Sequence, residues 1–464
     1  MTSLSTGYLW DGLVAGKKKD FLVLPDARFS YADLEQAVRR WLATFDGAGI
    51  GENDRIIIQS ANQFATISCF IACLVDGVTP VMVTADTPPL RALSLAETVE
   101  AAGFIADADR MPDRLPSATA SISLGKPEKA KSGLFSRGKT DWLPGISPDP
   151  ATREPRLPAD PDGLAFLLFT SGTTSSPSGV QLTRKNLFAN LQTISRIFDY
   201  DGHSRIFNDM NLGHTDGLTQ GPALALANRA CLIRAGGFQI GHLEPWLETV
   251  RKERATHFIT VPTIWAMIDK YAGHDDYFDA PEFKSLQSVA AKFPEELWGR
   301  LEARFDLPIA NHYGLTETVA SALYAGPHPE MGAFGTVGLP IDCEARIAPG
   351  STDPKEGELQ LRGDNIFPGY WRNPERTAQT FTDDGWMKSG DLARLLDDGS
   401  YQILGRIKTV IMMGIIHIII LACAASIVVG LRRCWRCIST PSSTGSTKYG
   451  SGEERSVHQR ANGM

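Results

Sequence analysis

Residues 170–180 form a run of small and hydroxyl-bearing side chains that reads TSGTTSSPSGV. Such a loop lets the backbone approach a polyphosphate, and its hydroxyls and exposed N–H groups can donate to phosphate oxygens. The apolar residues 164–169 predict a strand before the loop, and Thr183 predicts the N-cap of a helix that begins at Arg184. A Ser/Thr/Gly-rich surface turn has the same composition, so this stretch alone leaves both interpretations open.

A second stretch, at residues 311–318, reads NHYGLTET and combines an aromatic ring, a turn glycine, a hydroxyl and a carboxylate. Tyr313 can cover a purine ring, Thr316 can meet a phosphate, and Glu317 can ligate Mg²⁺. Together these residue types favour a nucleotide as the ligand.

Two further candidates follow later in the chain. Asp391 lies in the segment GWMKSGDL at a predicted turn, where its carboxylate can accept from two sugar hydroxyls. Arg406 and Lys408, in the segment GRIK, supply two cations. Each short pattern also occurs in surface turns and ion pairs, so the evidence for a nucleotide site is their order along the chain.

Residues 133–140 read GLFSRGKT and satisfy the Walker phosphate-loop pattern GxxxxGK(S/T). That pattern binds phosphate where a buried strand enters the loop and a helix leaves it. The flanking residues 126–131 and 142–145 predict neither element. A chance match in a surface connection is favoured, and a Walker-type NTPase that uses Lys139 is the alternative.

The elements that must position these residues alternate along the chain. Residues 55–59 predict a buried strand, residues 64–74 have helical periodicity, and residues 78–83 return to a strand. This alternation predicts an α/β fold with a parallel sheet. After Pro340 the segments shorten and alternate, as in residues 358–362, which predicts a small β-rich unit.

The composition is that of a soluble globular protein, with 464 residues, 43% of them hydrophobic, and a net charge of −7. It argues against a disordered, fibrous or multi-span protein, and the lack of a basic excess argues against a nucleic-acid partner. Seven cysteines in a chain of this length are not a disulfide framework. The N-terminal residues show no secretory signal, so we expect a cytoplasmic location.

In their order, the motifs resemble those of the adenylate-forming superfamily of acyl-CoA synthetases, peptide-synthetase adenylation domains and luciferases. The resemblance extends from about residue 29 to residue 414. The matching segments are TSGTTSSPSGV at 170–180, YGLTE at 313–317, GEL at 357–359, RG at 362–363, GYW at 369–371, PE at 374–375, SGDL at 389–392 and GRIK at 405–408.

The resemblance implies both a fold and a reaction. The fold would be a large α/β N-terminal domain, residues 1–409, built from two α/β subdomains and a small β-rich subdomain. A carboxylic acid would attack the α-phosphorus of MgATP to give an acyl-adenylate and pyrophosphate, and CoA is a possible acceptor of the acyl group. Which acid is used, whether fatty, aromatic or amino, is not indicated.

The resemblance also implies a role for each matching residue. Thr170, Ser171, Gly172, Thr173 and Thr174 would bind the phosphates, Tyr313 the adenine, Thr316 the α-phosphate, Glu317 the Mg²⁺, Asp391 and Arg406 the ribose, and His214 would line the acyl pocket, with Lys408 at a hinge. For His214 a structural role is an equal alternative.

The sequence departs from the family pattern in two places. The phosphate loop has Ser175 where the family has glycine and Ser178 where it has lysine, which removes a cation near the triphosphate. The small-residue segment expected before Pro294 reads VAAK at residues 289–292, which alters that wall of the site. These departures imply a weakened or specialised enzyme.

The resemblance stops where the hinge should lead into a mobile lid domain. Residues 410–431 contain no formal charge, and residues 432–464 carry a net charge of +4. One interpretation is a single membrane span with a basic stop that anchors a cytoplasmic body. The other is that the coding sequence of the lid was lost through a frameshift, which leaves a disordered basic tail. The second is favoured, because a span followed by this tail has no evident physical role.

We expect the loss of the lid to slow adenylation and to slow transfer to a thiol further. Lid closure excludes water and completes sites of this kind, so its loss removes more than one side chain. A non-catalytic nucleotide- or acyl-binding remnant is the alternative.

Overall fold

The computed structural model describes residues 4–129, 140–170, 178–349 and 353–407, all within the unit Met1–Ile407. The predicted hinge Lys408, the apolar segment 410–431 and the tail 432–464 lie outside the described residues. In the described ranges, no helix combines the length and the apolar character that a membrane crossing needs.

The elements are numbered in chain order over the described residues. The strands are β1 (Asp20–Val23), β2 (Arg28–Ser30), β3 (Arg55–Gln59), β4 (Thr79–Met82), β5 (Gly103–Asp107), β6 (Ala120–Leu124), β7 (Glu128–Lys129), β8 (Thr140–Asp141), β9 (Leu164–Thr170), β10 (Ser178–Thr183), β11 (Arg205–Asn208), β12 (Cys231–Ile233), β13 (His257–Thr260), β14 (Ser285–Ser288), β15 (Ile309–Tyr313), β16 (Leu323–Ala325), β17 (Leu339–Pro340), β18 (Cys343–Ile347), β19 (Glu356–Gly363), β20 (Met387–Leu395) and β21 (Tyr401–Arg406). The helices are α1 (Thr6–Ala15), α2 (Tyr31–Ala48), α3 (Gln63–Asp76), α4 (Pro89–Val99), α5 (Arg184–Ile197), α6 (Thr215–Leu218), α7 (Leu224–Ala227), α8 (Leu243–Lys252), α9 (Pro262–Tyr271), α10 (Glu295–Phe305) and α11 (Pro374–Thr380). A π-helical turn, Thr219–Ala223, joins α6 to α7, and 3₁₀ turns lie at Ile240–His242, Asp276–Phe278 and Thr316–Thr318.

The described strands form two large sheets, a small sheet and a short ribbon. The first sheet has the order β17-β16-β15-β14-β13-β11-β12-β1-β2 and is parallel from β15 to β1. The second has the order β10-β9-β4-β3-β5-β6 and is parallel except for β10. The third, β18-β19-β20-β21, is antiparallel, and β7 pairs with β8. This confirms the predicted α/β fold with two α/β parts and a small β-rich part.

Side-chain alternation along the strands explains why helices cover both faces of the large sheets. In β3, Ile56 and Ile58 pack into the core that the two sheets share with α2, α3 and α5, whereas Ile57 packs towards α4. In β11, Ile206 faces the shared core and Phe207 faces the tryptophan-rich core formed with α8, α9 and α10. Because both faces are buried, these strands read as continuous apolar runs in the sequence.

The Walker-like segment lies in the connection between the strands β6 and β9. Residues 130–139, which include Lys139, lie outside the described residues. Residues 140–163 are all described and contain no helix, so the helix that a Walker loop requires does not follow it.

The helix predicted after Thr183 is α5, and its first turn is tied to the β-rich part. Thr183 Oγ1 accepts from the Asn186 N–H at 3.2 Å, and Asn186 Oδ1 accepts from the Thr183 N–H at 3.0 Å. The Asn186 amide also donates to the carbonyls of Asp364 and Ile366, each at 2.8 Å. A single buried amide therefore caps α5 and holds the chain that follows β19.

We expect Asn186→Ala to lower the free energy of unfolding by about 2–3 kcal/mol, because it removes a cap and leaves two partly buried hydrogen bonds unmade. Urea denaturation followed by tryptophan fluorescence measures the loss. The neighbouring Lys185→Ala is the control, since it removes an exposed ion pair to Asp364 and should cost less than about 1 kcal/mol. Equal losses for the two variants would contradict this role of Asn186.

Candidate functional site

A cavity of about 600 Å³ lies where the loop after β4, the end of β9 and the segment before α6 meet. Thr170 lines it from the end of β9, His214 from the N-cap position of α6, and Thr316 from the start of its 3₁₀ turn. Asp86 lines it from the loop after β4, and Arg91 lines it from α4. The structure therefore brings together three predicted site residues from three separate parts of the chain.

The predicted phosphate loop connects the antiparallel strands β9 and β10, in which Ser178 lies opposite Thr170. Ser171, Gly172, Thr173 and Thr174 lie outside the described residues. The predicted helix begins at Arg184 with Thr183 as its N-cap, and the strand β10, which the sequence did not predict, continues the ladder with β9 up to that cap. A phosphate at this hairpin would therefore meet the residues that connect β9 to β10, not the N-terminus of α5.

Tyr313, Asp391 and Arg406 form one hydrogen-bonded group. The Tyr313 hydroxyl donates to Asp391 Oδ2 at 2.6 Å, and Arg406 Nε lies 2.9 Å from Asp391 Oδ1. Asp391 and Arg406 lie opposite each other in β20 and β21. Burial raises the pKa of Asp391, although the Tyr313 and Arg406 donors oppose the shift. The predicted adenine and ribose residues thus lie in direct contact.

Glu317 is held by Tyr370, a residue to which the sequence gave no role beyond the GYW match. The Tyr370 hydroxyl donates to Glu317 Oε1 at 2.7 Å. Burial and the nearby Glu317 carboxylate raise the pKa of Tyr370 to about 12, so the hydroxyl keeps its proton and remains a donor. The GYW motif was the available signal, but the separation of 53 positions between the two partners concealed the contact.

The segment 367–371 joins the two parts of the site through its backbone. The Phe367 N–H donates to the Glu317 carbonyl at 2.9 Å, and the Trp371 N–H donates to the Gly179 carbonyl at 2.7 Å. Gly179 is required at that place, since a Cβ there would lie 2.8 Å from the Phe169 ring. The turn that carries Glu317 and the hairpin that carries the phosphate loop are therefore held together.

The turn around Glu317 contains strained backbone. A Cβ on Gly314 would lie 1.8 Å from the Ala320 carbonyl oxygen, so only glycine fits. Val319 has φ +67° and ψ −56°, and the Ala320 N–H donates across it to the Thr318 carbonyl at 2.9 Å. This γ-turn is rare and costly for a β-branched residue, and such strain is concentrated at functional sites.

The residues around Glu317 fit a Mg²⁺ ion that arrives with a nucleotide. Magnesium is usually held by one or two carboxylates together with substrate phosphates. Glu317 supplies one carboxylate, and only one of its oxygens accepts from Tyr370. The described residues contain no cluster of three or more His, Cys, Asp or Glu residues that would hold a metal by itself.

A sequence profile described as AMP-binding enzyme matches residues 14–371. The chain belongs to this family. Sulfoacetate–CoA ligase from Cupriavidus necator is 33% identical over 273 residues, which are 57% of this chain and 52% of that ligase. A probable CoA ligase from Humulus lupulus, CCL9, is 28% identical over 422 residues, which are 86% of this chain and 76% of the relative. The alignment thus spans about half the length of the first relative and three quarters of the second.

The fold is also found among solved structures. The structure of O-succinylbenzoate Coenzyme A synthetase (MenE) from Bacillus subtilis in complex with ATP and magnesium ion superposes with a TM-score of 0.73. The superposition covers 86% of this chain and 79% of that chain at 19% identity. The resemblance inferred from the motifs is confirmed at the level of family and fold, and the roles of the site residues stay predictions.

The segment 289–292, which the sequence marks as a departure from the expected small-residue pattern, also contains strained backbone. Ala290 has φ +70°, and the Ala291 N–H donates across it to the Val289 carbonyl at 3.0 Å. An alanine pays a steric cost in this conformation that a glycine does not.

Ala290→Gly should therefore raise the free energy of unfolding by about 0.5–1 kcal/mol, because the relief of the positive φ exceeds the entropy that glycine loses on folding. Ala291→Gly is the matched control: this neighbour is also exposed and lies outside the positive-φ region, so its replacement should destabilise by a similar amount. Thermal melting of both variants tests the difference in sign. Destabilisation by Ala290→Gly would contradict the strain.

His312 precedes Tyr313 in β15 and is buried in the core. Its ring stacks on Phe198 at a centroid distance of 4.9 Å, and its Nε2 has no hydrogen-bond partner among the described residues. Burial lowers the pKa of His312 to about 3. In the unfolded chain a histidine gains its proton near pH 6.5, so the unfolded state binds more protons between these values. His312 therefore makes the fold less stable as the pH falls from about 6.5 towards 3.

We expect His312→Phe, which keeps the stacked ring and removes the titrating group, to reduce the stability lost between pH 7 and pH 5 by about 2 kcal/mol. Urea denaturation at several pH values measures this loss. His203→Gln, which changes an exposed histidine, should give a curve parallel to that of the wild type. Parallel curves for the wild type and His312→Phe would show that His312 does not contribute.

Proposed function

We propose that the protein activates a carboxylic acid with MgATP, giving an acyl-adenylate and pyrophosphate. The observation that carries this proposal is the meeting of Thr170, His214 and Thr316 around one cavity. Glu317 follows Thr316 directly in the chain, and Tyr313 lies just before them at the end of β15. When a carboxylic acid reacts at the α-phosphate of ATP, the residues that contact the phosphates, the metal ion and the adenine must lie close together.

The chemistry consists mainly of positioning and charge neutralisation. A carboxylate oxygen attacks the α-phosphorus, and the bond from that phosphorus to the pyrophosphate oxygen breaks as the new bond forms. Thr170 and Thr316 would donate to phosphate oxygens, and Glu317 would hold Mg²⁺, which would neutralise phosphate charge. His214, which lines the same cavity, would orient the incoming carboxylate.

Asp391 and Arg406 are assigned to the ribose. The Asp391 carboxylate has lone pairs for more donors than the Tyr313 hydroxyl and the Arg406 guanidinium that it binds here. The two ribose hydroxyls can therefore donate to it, and the Tyr313 ring, fixed by the same carboxylate, is positioned to cover the base.

We also propose CoA as the acyl acceptor, since the sulfoacetate–CoA ligase and the probable CoA ligase are among the relatives. Residues 408–464 do not resemble the lid of the family, so adenylation should be slow and transfer to CoA slower still.

Glu317→Gln should lower acid-dependent pyrophosphate release at least about 100-fold, because it removes the charge that holds Mg²⁺. A coupled pyrophosphate assay with sulfoacetate and with fatty, aromatic and amino acids measures the rate. Glu375→Gln is the matched control: it makes the same change at an exposed carboxylate on α11 and should keep the wild-type rate.

Equal rates for these two variants would contradict the role of Glu317. ATP binding without acid-dependent pyrophosphate release in the wild type would favour the non-catalytic binding module. Loss of ATP binding in Lys139→Ala, with no effect of Glu317→Ala, would favour the Walker-type NTPase. Turnover as fast as that of relatives with a lid would contradict the slow reaction.

A further inference from the structure

Arg376 on α11 reaches the end of the predicted phosphate loop. Its guanidinium Nη1 donates to the Ser178 hydroxyl, the first residue of β10. Ser178 is 6% exposed and lies opposite Thr170, which lines the 600 Å³ cavity. A residue 198 positions away in the chain thus places a positive charge at the phosphate hairpin.

The same guanidinium lies near the carboxylate predicted to bind Mg²⁺. Its central carbon is 4.2 Å from the centroid of the Tyr370 ring, and the Tyr370 hydroxyl donates to Glu317. The side chain of Asn373 accepts from the Arg376 N–H at 3.0 Å and so fixes the start of α11. Arg376 is therefore held between the Ser178 hydroxyl and the ring of Tyr370, the tyrosine that binds Glu317.

Arg376 differs from the other cations around it in its charge partners. Arg372 pairs with Glu100 at 2.5 Å, and Lys185 pairs with Asp364 at 2.8 Å. Within the described part of the chain, no carboxylate pairs with Arg376. Its charge is thus directed to a hydroxyl and an aromatic ring, both of which leave it available to an anion.

The loop itself contains no basic residue, since residues 170–180 read TSGTTSSPSGV. A triphosphate carries several negative charges, and a loop of hydroxyls and N–H groups neutralises none of them. Guanidinium is suited to this task, because it is always charged and its planar fork matches phosphate oxygens. Ser178, whose position in the family pattern is a lysine, is the residue that Arg376 contacts.

We propose that Arg376 binds the β- and γ-phosphates of the nucleotide and supplies the positive charge that Ser178 cannot. This inference rests on the proposed function, since it requires ATP at this site, and it adds a binding residue to it. The charge has moved from the loop to the helix that packs against it. The small side chain of Ser178 leaves the space that the guanidinium occupies.

The test compares the affinities for MgATP and for AMP, which lacks the β- and γ-phosphates, by titration calorimetry. Arg376→Ala should weaken MgATP binding at least about tenfold and leave AMP binding unchanged. Placing lysine at the loop position, as Ser178→Lys in the Arg376→Ala background, should restore MgATP binding to within about threefold of the wild type. Arg372→Ala, which removes an exposed arginine of the neighbouring segment, should change neither affinity.

The ratio of the MgATP affinity to the AMP affinity separates a loss of phosphate binding from damage to the fold, because misfolding weakens the binding of both ligands. An unchanged ratio in Arg376→Ala, or no rescue by Ser178→Lys, would overturn the proposal. Acid-dependent pyrophosphate release is measured separately: a wild type that binds MgATP but activates no acid would refute the proposed reaction while the effect of Arg376 on MgATP binding persists. A wild type that does not bind MgATP would refute both.

Discussion

The peptide groups of residues 367–371 hydrogen-bond to two remote parts of the chain, and the site depends on both sets of bonds. In the first set, the Phe367 N–H donates to the Glu317 carbonyl. In the second, the Trp371 N–H donates to the Gly179 carbonyl at the outer edge of β10. Without the second set, β10 would be an exposed edge strand with unpaired N–H and C=O groups. The requirement to satisfy these backbone groups brings the small β-rich part of the chain against the two large sheets. The order of the family motifs in the chain therefore becomes proximity in space.

Two tyrosine–carboxylate pairs organise the polar groups of the site. Tyr313 donates to Asp391 at 2.6 Å, and Tyr370 donates to Glu317 at 2.7 Å. In both cases burial raises the pKa of the tyrosine, so a neutral hydroxyl is the donor. A neutral donor orients a carboxylate without cancelling its charge, whereas an ion pair would cancel much of it. Glu317 therefore remains able to attract a metal ion, whereas Asp391, whose charge Arg406 partly cancels, keeps lone pairs for sugar hydroxyls.

The sequence could predict those features that depend on neighbours along the chain. The elements β3, α3 and β4 follow from apolar periodicity, and the cap of α5 follows from a single threonine. Features that depend on distant partners were not accessible: the strand β10 is recognisable only once β9 is beside it. In the same way, the contact between Arg376 and Ser178 spans 198 residues and has no local signal.

Backbone strain was equally hidden from the sequence. Nothing in the residue types marks Val319 or Ala290 as positions with positive φ, because valine and alanine favour negative values. These conformations are imposed by the surrounding structure. Residue types therefore suggest the chemistry of a site more readily than the backbone geometry that supports it.

The position of β1 and β2 in the first sheet has a consequence during protein synthesis. Leu22 in β1 pairs with Leu232 in β12. The strand β1 is synthesised early, but its partner β12 follows only after some two hundred further residues. At roughly 5–20 residues per second, that delay is on the order of 10–40 s on the ribosome. Meanwhile a two-stranded hairpin is only marginally stable, and its apolar edge is open to other chains. The nascent chain therefore passes through a period in which this edge is unpaired, and the period ends only when β12 can pair with β1.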